Sequence, residues 1–154
     1  IGLRTYRGAM AFEQLRLETE RYAKDHHRPK VFLLKVGNLA MRQARAGFIT
    51  NFFGCAGYEI AETAGYKTVE DGVKAAEEQK ADLVVICSSD EEYATLGVEI
   101  AAQLKNKLPQ TPVLIAGNPT EAIEALNDAG VSDYIHVKVN VLDTLRKYNQ
   151  QLLK

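Results

Sequence analysis

Apolar positions beyond Pro29 fall into five short runs rich in β-branched residues: Val31–Val36, Tyr58–Thr63, Leu83–Cys87, Val113–Ala116 and Tyr134–Val137. Most are nearly continuous rather than alternating, the pattern of a strand buried on both faces. Between them the period changes. Leu96, Ile100, Leu104 and Leu108 recur every four residues, and Leu142, Leu145, Tyr148 and Leu152 every three or four, so each set marks a helix with one apolar face. Such a helix covers one side of a sheet only. Five strand–helix repeats therefore predict a parallel sheet covered on both faces, and right-handed crossovers make it an α/β, three-layer, doubly wound, five-stranded sandwich. Five strands favour the flavodoxin-like order 2-1-3-4-5, in which ligands sit at the C-terminal strand ends near the switch between the first and third strands. The segments to inspect are thus Gly37–Met41, Ser88–Glu92, Gly117–Thr120 and Lys138–Asn140.

Residues 1–27 read differently. Ala9–Lys24 forms a charged amphipathic pattern with Phe12, Leu15 and Tyr22 on one side, and Asp25-His26-His27-Arg28-Pro29 breaks it before the first strand. The expected organisation is a helical linker or docking arm over 1–27 and one domain over 28–154. The chain begins with Ile rather than Met, which suggests a portion of something longer.

At 154 residues with 46% hydrophobic and 25% charged composition, the chain can bury a proper core without disulfides or a structural metal. Its 19 basic and 20 acidic residues are interleaved and leave a net charge of -1, so no basic stripe is available for a phosphate backbone, and nucleic acid is not expected as a partner. No run of 18 apolar residues occurs, so no membrane span is expected, and the chain reads as cytoplasmic. Cys55 and Cys87 fall in a predicted helix and strand and are expected to be buried, reduced thiols.

Each strand end has a local reading. Asn38 is a plausible N-cap, and Leu39 to Ala46 are good helix formers, so a helix should start there at once. Met41, Phe48, Phe52 and Cys55 share one helical face and are expected to pack in the core. Ser89-x-x-Glu92 is a capping box, with Asp90, Glu91 and Glu92 against the positive helix end, where they would repel an anionic ligand. Asn118-Pro119-Thr120-Glu121 reads as a second cap, with Pro at the first helical position. His136 falls in the last strand and is expected to be a hydrogen-bonded core residue, while His26 and His27 are expected to be solvated.

Arg28-Pro29-Lys30-Val31-Phe32-Leu33-Leu34-Lys35-Val36-Gly37, followed by an apolar helix ending at Gly57-Tyr58-Glu59-Ile60, resembles the cobalamin-binding domain of methylmalonyl-CoA mutase. The resemblance extends over nearly all of 28–154 and is nearest to the small, non-catalytic subunit of heterodimeric bacterial enzymes, with Tyr6 to Arg16 similar to the segment leading into that domain. It implies a C-terminal, degenerate cobalamin-binding-like domain. The family's D-x-H-x-x-G positions fall on Leu39, Met41 and Ala44 counted from Gly37, or on Ala40, Arg42 and Arg45 counted back from Gly57. Neither register supplies the imidazole and orienting carboxylate that hold cobalt. The family's S-x-L becomes Ser88-x-Asp90, and its Gly-Gly becomes Ala116-Gly117.

The resemblance implies a structural or assembly role in an adenosylcobalamin-dependent isomerase interconverting (R)-methylmalonyl-CoA and succinyl-CoA. Adenosylcobalamin would sit in the large catalytic partner subunit of a heterodimer. In this domain no catalytic residue, no metal ligand and no bound cofactor is expected, and the altered positions Leu39, Met41, Ala44, Ser88, Asp90 and Gly117 are expected to help hydrocarbon around Phe48, Phe52 and Phe53 seal the groove. The alternative is a module that retains cobalamin without histidine ligation, through Gly37, Ser88 and Gly117. A phosphoacceptor domain would need an acidic pair after the first strand and an Asp ending the third, where this chain has Asn38-Leu39 and Ser88-Ser89. A flavin module would need a phosphate loop that is absent.

Overall fold

The computed structural model describes the backbone of residues 3–61 and 65–153, and side chains from residue 10 onward within those ranges. Five strands, β1 (Lys30–Lys35), β2 (Glu59–Ala61), β3 (Leu83–Cys87), β4 (Val113–Ala116) and β5 (Val131–Ile135), form one parallel sheet in the order β2-β1-β3-β4-β5. Val31 pairs with Leu83 and Lys35 with Cys87, so β1 and β3 lie side by side at the centre and end at the same level. The fold is the α/β, flavodoxin-like sandwich that the pattern predicts.

Alternate residues of the buried strands build two separate apolar layers. Phe32, Leu34, Val84, Ile86, Val113 and Ile115 pack on one face against α3 (Val69–Gln79), α5 (Val98–Lys107) and α6 (Ile123–Ala129). Val31, Leu33, Leu83, Val85 and Leu114 pack on the other against α2 (Leu39–Gly54) and α7 (Val141–Leu152). α1 (Leu3–Asp25) lies along α7 and places Leu15, 1% exposed, in that second layer. Asn149 ties the three together: its amide donates to Leu15 O at 3.4 Å and its carbonyl oxygen accepts from Tyr58 Oη at 2.6 Å.

Several local expectations shift. β5 begins three residues earlier than its apolar run suggests, because Gly130 (φ +114°) ends α6 and Val131 enters the sheet at once. Ser132 and Asp133 interrupt the apolar pattern on this edge strand, and His136 falls just beyond it. β2 is short, and Glu62 and Thr63 lie outside the described residues. The cap expected at Asn118–Glu121 does not form: those residues make a turn, with Ala122 N donating to Pro119 O at 2.8 Å, and α6 starts at Ile123 without a side-chain cap. Cys87 is buried as expected, but Cys55 is exposed.

α4 (Asp90–Glu92) continues through a π-helical turn (Tyr93–Gly97) into α5. The turn lets Tyr93 drop beneath the strand ends, where it is fully buried. Its hydroxyl accepts from Ser88 N at 2.9 Å and donates to Ala116 O at 2.7 Å, with Ile86 O at 3.2 Å also in reach. Burial pushes the phenol's pKa well above its ordinary value, so it stays a neutral donor linking β3 to β4.

Candidate functional site

Of the segments singled out from the sequence, Gly37–Met41 and Ser88–Glu92 meet at the C-terminal edge of the sheet at the switch between β1 and β3, while Gly117–Thr120 and Lys138–Asn140 lie further along that edge, after β4 and β5. Asn38 caps α2, its side chain accepting from Met41 N at 2.9 Å, so the helix starts directly after β1 and no extended loop overhangs the edge. Leu39 and Met41 are 62% and 37% exposed, and Ala44 is also exposed. These positions stand open to solvent and do not fill the crevice. The buried face of α2 is instead Ala46, Ile49, Phe52 and Phe53, which corrects the expected stripe of Met41, Phe48, Phe52 and Cys55. Phe52 and Phe53 lie down in the core layer, beneath the crevice.

What spans the crevice is polar. The Glu92 carboxylate reaches across from α4 and accepts Asn38 N–H at 2.8 Å, while the same oxygen accepts the Ser89 hydroxyl at 2.7 Å and the Ser88 hydroxyl at 3.2 Å. Ser89 Oγ accepts Glu92 N–H at 3.3 Å, so the capping box is present. Gly37 adopts φ +77°, a conformation that favours glycine, and a Cβ there would push the Glu92 carboxylate from its present place.

A second span joins α2 to the far side. Arg45 Nη1 donates to Ala116 O at 2.8 Å and Nη2 pairs with Asp90 at 2.9 Å. Gly117 (φ +140°) passes directly under this guanidinium, and a Cβ there would collide with it. Arg42 donates to Gly37 O at 3.3 Å and covers Gly65. The capping-box reading of Ser89 and Glu92 thus holds locally, but its link to Asn38, 54 residues away, has no sequence signature. The sequence marks Arg42 and Arg45 only as positions of the ligand motif in one register and gives no sign of the contacts they make, and it misses Tyr93, because a π turn leaves no pattern.

Partial burial pulls the Glu92 pKa up, but the hydrogen bonds from Asn38, Ser89 and Ser88 outweigh it and hold the carboxyl below its ordinary value of 4.5. A depressed folded pKa contributes stability that is full above the ordinary value and lost as pH falls through the folded one. Unfolding free energies of wild type and Glu92→Gln should therefore differ at neutral pH and converge once the medium is more acidic than the folded pKa. Denaturant titrations from pH 7 to pH 3 would check this.

A largely apolar groove of about 350 Å³ opens between α2 and the β5–α7 loop, with Phe48, Phe52 and Cys55 on one side, His136, Val137 and Val141 on the other, and Asn51 among them. Val137 is 83% exposed. His136, expected in the core, stands on this rim, with its Nδ1 accepting Lys138 N–H at 3.3 Å. β3 and β4 separate it from the β1 loop, three strand spacings or about 14 Å away. His26 stacks on Tyr22, and His27 pairs with Asp82 at 3.1 Å, both exposed and away from this edge.

The donor set therefore fits a corrin poorly. Leu39 and Met41 present no imidazole or carboxylate, and the space over Gly37 holds the chain's own carboxylate. Among the described residues, no three His, Cys, Asp or Glu side chains cluster as a metal site. No helix among them is long and apolar enough to cross a membrane.

The chain is 48% identical over 145 residues to the methylmalonyl-CoA mutase small subunit of Porphyromonas gingivalis, a match covering 94% of this chain and 22% of that protein. It is 35% identical over 104 residues to the small subunit from Propionibacterium freudenreichii subsp. shermanii, covering 68% and 16% respectively. The chain is homologous to a segment of methylmalonyl-CoA mutase small subunits. It spans about a fifth of the length of the curated relatives it matches. No family model matches it. Among solved structures, this small-subunit homologue is similar to a CheY-like protein (tadZ) from Pseudomonas aeruginosa PAO1, with TM-score 0.60 and 14% identity over 80% of this chain and 92% of that one. A response regulator from Thermotoga maritima superposes with TM-score 0.54 and 16% identity, covering 82% and 98%. At those identities the likeness is one of fold alone.

Proposed function

We propose that this segment is the C-terminal, cobalamin-binding-like domain of a small, non-catalytic mutase subunit, serving assembly and stability rather than chemistry. The enzyme would interconvert (R)-methylmalonyl-CoA and succinyl-CoA as a heterodimer, with adenosylcobalamin held by the large subunit. The observation that carries this reading is the crevice between β1 and β3. In open α/β sheets that crevice takes the ligand; here Glu92 reaches into it, and Leu39, Met41 and Ala44 offer nothing to coordinate cobalt. The identity to curated small subunits over 94% of the chain supports the same assignment. Two well-filled apolar layers support a domain that keeps its shape without a prosthetic group.

Full-length small subunit, expressed alone and mixed with cobalamin, is expected to retain none after dialysis, and with the large subunit it is expected to elute as one heterodimer on gel filtration. Stable retention of a red cofactor by the small subunit alone would refute the first half of the reading. Separate elution of the two subunits would refute the second.

A further inference from the structure

We propose that Glu92 is an internal latch: its carboxylate pins the β1–α2 turn to the β3–α4 turn and closes the switch-point crevice from within. A capping box alone would engage only Ser89. Here the same oxygen also takes the Ser88 hydroxyl and a backbone N–H from a different loop. The recipient turn is shaped for it, since Gly37 lacks the side chain that would collide with the carboxylate and sits at a φ that favours glycine. Hydrogen bonds to an ionised acceptor are the stronger kind, and three of them converge on one atom.

The charged groups around the latch are compatible with its closure. On its own turn, Asp90 is paired with Arg45 of α2 and Glu91 is exposed. From α2, Arg42 donates to Gly37 O and places positive charge beside the turn. Neutral Tyr93 lies beneath. The latch concerns this domain's own closure and goes beyond the assembly role, since it holds whether or not a large subunit binds.

The test uses the 154-residue chain, with amide exchange at Asn38 as the readout. Replacing Glu92 by Ala should accelerate exchange of that amide by about tenfold to a hundredfold, the loss expected for a hydrogen bond to a charged acceptor. Sodium formate should then slow it again in a saturable way, because the small carboxylate re-enters the vacated space, whereas sodium chloride at the same ionic strength should not. Glu92→Gln, which keeps the volume and loses the charge, should show faster exchange and no response to formate. Should Glu92→Ala not fold, the Gln variant decides alone: unchanged exchange at Asn38 would overturn the latch. So would equal effects of formate and chloride on the Ala variant. A failure here leaves heterodimer formation untouched, and a failure of assembly leaves this readout untouched.

Discussion

Phe53→Ala is expected to lower the unfolding free energy by about 3–5 kcal/mol, the range for removing a buried aromatic ring whose space cannot collapse. Phe53 is 0% exposed and sits at the centre of an aromatic group: Phe52 meets it edge-on at 5.1 Å, Tyr148 edge-on at 5.8 Å, and Tyr58 stacks on it at 5.8 Å. Its loss removes contacts to α7 and to the start of β2 together. The helix neighbour Phe48 is only half-buried at the groove rim, so Phe48→Ala should cost much less. Urea or guanidinium titrations would separate the two, read as a shift in midpoint at constant slope. Similar losses for both would mean that Phe48 is as much a part of the core as Phe53.

Tyr93→Phe is expected to cost about 1–3 kcal/mol through a single orphaned donor. The ring stays, so the effect is not one of packing. Ala116 O loses the phenol but keeps Arg45, whereas the buried Ser88 N–H loses the oxygen it donates to. The two side chains therefore back each other up at Ala116, and Arg45→Ala combined with Tyr93→Phe should destabilise by more than the sum of the single changes. A double-mutant cycle with a coupling above about 0.5 kcal/mol would show this shared acceptor. Arg45→Ala alone should be mild, since its partner Asp90 is 54% exposed and such ion pairs contribute roughly 0–1 kcal/mol.

The sandwich is legible because its core is periodic. Leu83–Cys87 and Val113–Ala116 form strands over the full extent of their apolar runs, and the helical spacing of three or four residues ends in burial at Ile100, Leu104, Leu145 and Tyr148. Legibility fails where chemistry replaces period. β5 hides behind Ser132 and Asp133, and the latter is kept charged at this edge by Lys147 at 2.6 Å and Tyr148 at 2.8 Å, which outweigh its desolvation and hold its pKa down. α2 lies where its helix formers put it, but its buried face is one step round from the expected one, since Phe48 and Cys55 line the groove and Met41 is exposed while Ala46, Ile49 and Phe53 go inward.

The candidate site shows the same division. Which residues stand at the strand ends follows from the topology alone, and Asn38 and Ser89 cap their helices as their residue types suggest. What closes the crevice does not follow. Hydrocarbon is expected from Phe48, Phe52 and Phe53, and a carboxylate and a guanidinium are found instead, because both reach across from elements distant in sequence.

That substitution of charge for hydrocarbon sets how this edge should respond to its medium. Apolar layers are strengthened by excluded salts, whereas exposed ion pairs are screened by them. Concentrated salt should thus set the two regions against each other, firming the sandwich while slackening the rim held by Arg45 and Asp90. The Arg45–Asp90 pair should loosen there while the sheet stays folded, so edge and core answer salt in opposite senses.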